Sequence, residues 1–339
     1  MKRVIAMLVL VVLLLPAAGY SVERVGTTAY QFLKLNVGVR GVGMGNALVA
    51  GSSDATSIFW NPGGLGWMEK REVVLTHVNM PADINYDLMG LAWPLGEFGV
   101  LGFSAGVLHM GDMDVRTAET PDGTGELFTA SDIQVGLSFA KMVTDRFVFG
   151  FTGKYIREEL AEYESTNFTV DFGLQYQTGF RSLRLGMVMQ NYGPDGTFDG
   201  SFIDYRQSAG TTGEPEEKDF DESRQPVTFK AGVIADLETM SGMEMGGMVD
   251  GNIALQFEHP SDNKERVNTG LELLYGPLAF RAGYNFNYDV DGFAFGLGVK
   301  QELSGYMLKF DYAYADMGDL TDSSSFMNQP HRFALAVEF

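Results

Sequence analysis

Cysteine is absent from all 339 residues, which removes disulfides, thiolate metal sites and thiol nucleophiles together. Histidine is scarce. The four present, His77, His109, His259 and His331, lie on different segments without companions at metal-ligating spacing. No G-x-S-x-G, H-E-x-x-H or phosphate-loop pattern occurs. No catalytic residue, cofactor-binding residue or metal ligand is therefore expected, and the chain reads as a non-enzyme. Basic residues are outnumbered, 24 against 44 acids, and the formal charge of −20 argues against nucleic acid as a partner. Beyond the N-terminus no apolar run reaches ~18 residues, so membrane-spanning helices are not expected.

The one long apolar run is N-terminal. Lys2 and Arg3 precede a stretch from Val4 to Leu15, and Pro16-Ala17-Ala18-Gly19 offers small residues for cleavage. Residues 1–19 read as a secretory signal peptide. The mean hydropathy of −0.03 resembles that of a soluble protein. It is also what a membrane barrel gives, because lipid-facing and lumen-facing residues alternate and average out.

That alternation is present. Phe147, Phe149, Phe151 and Tyr155 alternate with Val148, Gly150, Thr152 and Lys154. Leu278, Phe280, Ala282, Tyr284 and Phe286 alternate with Ala279, Arg281, Gly283 and Asn285. A period of two places each set on one face of a strand. Fourteen such segments are expected: 72–80, 85–94, 98–109, 128–142, 146–157, 166–178, 182–191, 226–238, 248–258, 266–275, 278–288, 292–301, 305–315 and 331–339. Short and longer connections largely alternate between them, as in a barrel with a periplasmic and an exterior rim. The fold class expected is all-β: a transmembrane antiparallel β-barrel of about 14 strands, occupying residues 71–339 in the bacterial outer membrane. The last strand ends on an aromatic residue, with Phe333, Leu335, Val337 and Phe339 on one face. In outer-membrane barrels such an ending serves as the signal for the barrel-assembly machinery.

Residues 20–70 have no sustained period of two and are expected to fold inside the barrel as a hatch or plug. Asp54 is placed to cap a short helix over Ala55 to Trp60, which Asn61-Pro62 stops. Gly63 and Gly64 then allow a tight reversal, while Asn61 can hydrogen-bond its own turn. Asn61, Pro62, Gly63, Gly64 and Leu65 are the hatch-motif candidates, with a structural or gating role.

Two runs in this segment, Gly38-Val39-Arg40-Gly41-Val42-Gly43-Met44-Gly45 and Asp54-Ala55-Thr56-Ser57-Ile58-Phe59-Trp60-Asn61-Pro62-Gly63-Gly64-Leu65, carry a family likeness. They resemble the N-terminal region of the PorV/PorQ family, a branch of the FadL-like outer-membrane barrels. Gly63 stands where that family usually has Ala, a change between two small residues. The resemblance implies an accessory or shuttle of type IX-like protein secretion, which binds exported cargo proteins or the translocon through extracellular loops. A FadL-like transporter of hydrophobic small molecules and a structural barrel supporting another machine remain the alternatives. Outer-membrane lipid is a partner in each case.

The candidate docking loop is 192–225, where Asp204, Glu214, Glu216, Glu217, Asp219, Asp221 and Glu222 outnumber the bases. It serves either as a docking surface for a basic partner or divalent cations, or simply as a solvated loop. Inward-facing Lys154, Arg281, Lys300 and Lys309 are placed to pair with Asp311 and other acids, which either holds a hatch or lines a passage.

Overall fold

The structure, a computed structural model, describes residues 26–117, 119–204, 216–241, 249–288, 292–316 and 330–339. The signal-peptide reading over 1–19 and the candidate Glu214 lie outside the described residues. Fourteen strands close into one barrel. They are β1 Glu72–Asn79, β2 Asn85–Pro94, β3 Val100–His109, β4 Ala130–Thr144, β5 Phe147–Leu160, β6 Tyr163–Gln177 and β7 Arg184–Tyr192. The circuit continues with β8 Thr228–Asp236, β9 Val249–Pro260, β10 Arg266–Tyr275, β11 Leu278–Phe286, β12 Phe293–Leu303, β13 Tyr306–Ala315 and β14 His331–Glu338. Every strand pairs antiparallel with its sequence neighbour, and β1 pairs with β14, with Leu75 opposite Leu335 and Glu72 opposite Glu338. Closure leaves no wall strand with an unpaired edge, which a hydrocarbon environment requires.

The alternation read from the sequence sorts by face. On β14, Phe333 and Leu335 are exposed on the outside while Ala334 and Ala336 are buried against the interior. The other strands follow the same rule, with Phe149 and Phe151 out and Thr152 in on β5. Connections at the Phe339 end are mostly tight, such as Gly276-Pro277 between β10 and β11, with the link 237–248 between β8 and β9 the longer exception, which makes that rim the periplasmic one.

Two expected connections differ. The link expected over 158–165 is a turn of two residues, with Ala161 in the left-handed region at φ 54°. β4 pairs with β5 up to Leu160, while β6 runs beyond the end of β7, and Arg157 Nη2 donates to Glu164 Oε2 at 2.8 Å across the β5–β6 hairpin. The loop 192–225 is also more ordered than expected. Ser201–Asp204 and Glu216–Asp219 pair as a small antiparallel hairpin within it.

The N-terminal segment enters at the rim opposite Phe339. Thr28 bridges Arg224 in the long exterior loop, and the chain then descends through a 3-10 turn Gln31–Lys34, helix α1 Val39–Gly43, helix α2 Ser57–Trp60 and a 3-10 turn Pro62–Trp67. It reaches the periplasmic rim at Arg71, whose N–H and carbonyl pair with Phe339. Helix α2 is shorter than the expected 55–60 because Asp54 acts before it: its carboxylate accepts from Thr56 N at 3.0 Å and forms a side-chain turn. Pro62 opens the next turn as well as closing α2, since its missing N–H is no loss at a first helical position.

Candidate functional site

The segment and the wall meet most closely at Asn61. Its amide donates to three carbonyls, Val49 O at 2.8 Å, Leu174 O at 3.0 Å and Met187 O at 3.4 Å. Its side-chain oxygen accepts from Gly63 N at 3.0 Å, the local bond expected of it. Leu174 and Met187 belong to β6 and β7, so one side chain joins two segment turns to two wall strands. Beside it, Gln175 Nε2 donates to Ser52 O at 2.8 Å, and Trp67 Nε1 donates to Gln175 Oε1 at 2.8 Å. Gly63 and Gly64 have no positive φ, so no left-handed reversal requires them. They are glycines because of close approach: a Cβ on Gly63 would lie 2.9 Å from Gly173 O. Pro62 and Leu65 are buried at the same contact.

A second tie is ionic. Glu272, on β10, accepts from Arg40 Nε at 2.9 Å and Arg40 Nη2 at 2.7 Å, and from Arg281 Nε at 2.8 Å. Arg281 also pairs with Asp311, the acid named from the sequence for the group of inward bases, and Arg40 lies 3.6 Å from Asp54. Bidentate geometry fixes orientation as well as charge. Lys309 bridges Glu72 at 2.6 Å and Glu338 at 2.9 Å, spanning the seam where β14 meets β1. Lys154 pairs with Asp171 at 2.8 Å. Lys300 is exposed at the periplasmic end and forms no ion pair among the described residues.

At the outer end, Tyr30, Phe32 and Val37 pack with Val78, Tyr86, Leu88 and Ile156 of the wall. Tyr30 OH and Ser165 Oγ share a hydrogen bond of 2.6 Å, and burial pushes the Tyr30 phenol up. Lys34 Nζ and Thr28 Oγ1 donate to Asp262 Oδ2 at 2.7 and 2.8 Å, in the short loop between β9 and β10. Burial alone would push Asp262 up; these two donors outweigh it and hold the carboxyl below the usual aspartate range. The cavity left between segment and wall here is only about 40 Å³.

The exterior loop is organised by aromatics. Phe220 packs on Tyr163, Phe198 and Phe202 at centroid distances of 4.8, 5.7 and 5.2 Å. Around this knot Glu217, Asp219, Asp221 and Glu222 are exposed. Asp204 and Glu216 stand opposite each other at the hairpin's end. No cue in local spacing marks Phe198, Phe202 and Phe220 as one cluster. On the outer wall, His77 and His109 come together with Asp87, at 2.7 and 3.3 Å, a grouping that scattered sequence positions conceal. Among the described residues, no group of three or more His, Asp or Glu could hold a metal ion. None of their helices is long and apolar enough to cross a membrane.

A closed barrel of fourteen strands, apolar outside and filled by its own N-terminal segment, defines an outer-membrane β-barrel of FadL-like architecture. The toluene transporter TodX of Pseudomonas putida superposes with a TM-score of 0.52 at 10% identity, over 88% of this chain and 96% of that one. A FadL homologue of Pseudomonas aeruginosa gives 0.53 at 10% identity, over 89% and 98%. At that identity the likeness is one of fold. The family is given by sequence: the model of the type IX secretion system protein PorV matches residues 20–202, and the chain belongs to that family. No curated protein matches it.

Proposed function

We propose that this barrel is a non-enzymatic accessory of type IX-like protein secretion, which receives exported proteins on its exterior loops and hands them on without catalysis. The observation that carries this reading is the pairing of a PorV family match with a filled lumen. Leu48, Trp60 and Leu65 are at most 1% exposed inside the barrel, and the outer cavity is about 40 Å³. A client engaging such a barrel meets the rim first. There the aromatic knot holds Glu217, Asp219, Asp221 and Glu222 in a fixed acidic display, suited to a basic client surface. The N-terminal segment serves in this reading as a hatch, with Asn61 as its pin.

The test is purification from native outer membrane in mild detergent, with mass spectrometry of proteins and lipids. Exported proteins should co-purify, and deleting the exterior loop 193–227 should abolish their capture. Recovery of an apolar small molecule and no exported protein would instead favour hydrophobic uptake. That second reading rests on the apolar part of the outer cavity's lining, Phe32, Leu35, Phe59 and Tyr86, whose remainder includes Lys154, Asp171, Gln190 and Asn191.

A further inference from the structure

The two sides of the lumen meet the N-terminal segment differently. At mid-depth toward β1–β5 the inward wall carries Val74, Ala92, Val100, Ala140 and Val148, with the polar exceptions Thr76, Ser138 and Thr152 among them and Glu72 and Lys154 in ion pairs. Toward β8–β11 the inward positions are polar. Lys230 stands opposite Glu258, Gln256 opposite Asn268, and Asn268 opposite Asn285 in the strand register. All five are more than nine-tenths buried.

This polar row lies against the segment, since Gln256 Oε1 accepts from Val49 N at 3.0 Å and Asn46 Nδ2 donates to Asn285 Oδ1 at 3.4 Å. Yet Gln256 Nε2, Asn268 Oδ1, Asn285 Nδ2, Asn46 Oδ1 and Trp60 Nε1 are buried without a hydrogen-bond partner among the described residues. Of the buried side-chain atoms without a partner among the described residues, these five lie together against one stretch of the segment. Buried polar groups are normally satisfied by protein or by water.

Below this row, toward the periplasm, lies a cavity of about 180 Å³ beside the Pro277 turn. Four cations, Arg40, Arg281, Lys300 and Lys309, and three acids, Asp54, Glu272 and Asp311, line it. Between the row and the cavity lies a contact made by the backbone of Met44 and Gly45 together with the Met44 side chain, which is fully buried there. Met44 and Gly45 press on Gly270 and Gly283: a Cβ on Gly270 would lie 2.5 Å from Met44 O, and one on Gly45 would lie 2.7 Å from Tyr284 N. No backbone hydrogen bond crosses this contact among the described residues. The barrier is made of fit, and can part without breaking a bonded pair.

We infer that the β8–β11 side of the lumen is a hydrated path for water and small inorganic ions, closed at the contact of Met44-Gly45 with Gly270 and Gly283. This activity is separate from client binding at the rim. The lining of both signs, with one cation in excess at the periplasmic end, suits small ions with a mild preference for anions. The opposite side of the segment, packed on apolar wall, stays dry.

Two measurements on the full-length mature barrel test the path. In planar bilayers with potassium chloride, Met44→Ala should raise the mean conductance at least several-fold over the parent. Leu65→Ala, an equally buried truncation on the apolar side, should not. Adding Asn268→Leu to Met44→Ala should return the current to the parent level. Equal currents from Met44→Ala and Leu65→Ala, no rise in either, or a current that survives Asn268→Leu would overturn the inference.

The second measurement needs no open gate and relies on the absence of native cysteine. Asn268→Cys in the folded, heat-modifiable barrel should react with a small charged thiosulfonate, and Val74→Cys should not. If the two react equally slowly, the seam is dry and the path does not exist.

Discussion

Asn61 and Gly173 share one space: the amide oxygen of Asn61 lies where any side chain at position 173 would begin. The wall strand is thus shaped to a residue more than a hundred positions earlier. The same amide reaches the neighbouring carbonyls of Leu174 and Met187.

Gly173→Ala should therefore force Asn61 out of its carbonyl cradle, at about 1–3 kcal/mol for overpacking a filled site. Heat-modifiability on gels should show a lower unfolding temperature. Gly153→Ala, where nothing lies within 4 Å of the added carbon, is the matched control and should leave it unchanged. Equal unfolding temperatures for the two variants would show that the segment is not pinned at Asn61.

Glu272 serves two guanidinium groups, while Arg40 is one of two serving Glu272. Removing one partner of a buried ion pair costs about 3–5 kcal/mol when nothing else compensates. Arg40→Met leaves Glu272 with Arg281 and should cost less than that range. Glu272→Gln weakens both pairs and should cost more than Arg40→Met. Hydrogen exchange of residues 39–66 should rank the variants in that order; the reverse order would mean that Arg40 holds the segment through Asp54 instead.

The outer anchor is sensitive to acid. The folded state holds the Asp262 carboxyl lower than the unfolded chain does, through Lys34 and Thr28. Its contribution is complete above the ordinary aspartate value of about 3.9 and is lost as pH falls through the lower folded-state value. Amide exchange of residues 28–35 should accelerate on acidification below that value. Asp262→Asn should show fast exchange at neutral pH and little further change in acid.

Phe220 joins three rings, and each aromatic contact is worth about 0.5–1.5 kcal/mol. Phe220→Ala should make the 193–227 loop protease-sensitive while the barrel's gel shift stays intact. Client capture should fall with loop order if the fixed acidic display matters; undiminished capture would assign binding to another loop.

Deleting Phe339 should lower the yield of assembled barrel in the outer membrane, read as the heat-modifiable fraction in isolated membranes. The loss arises partly at the closing seam, where Phe339 pairs with Arg71 through both backbone groups.

The wall was legible because lipid imposes one demand on every outward position. Phe280, Phe295 and Phe310 answer it in alternation with small or polar residues, so period and face follow from local sequence. Strand ends were less legible. Glu158, Glu159 and Glu164 look like loop residues, but above the membrane such charges can pair across a hairpin, as Arg157 and Glu164 do. The inward basic residues could be placed on one face with Asp311 as an acid within their reach, but which base it pairs with could not be read. Nor could the Arg40–Glu272 tie, because its partners are 232 residues apart and belong to no shared pattern. Contacts outside the local turn also hid the reason for Gly63 and Gly64, where chain reversal is the local explanation but Gly63 packs on Gly173 of β6 and Gly64 on Ser52 and Ser57 of the segment.

The N-terminal segment runs the full depth of the lumen, from Thr28 at the exterior loop to Arg71 beside Phe339. The seam between β1 and β14 joins the first and last strands of the circuit, and the wall so closed encloses the strap along its length. Wall and filling therefore share one boundary, and an error in residues 28–71 is expected to disturb closure of the wall as well as gating.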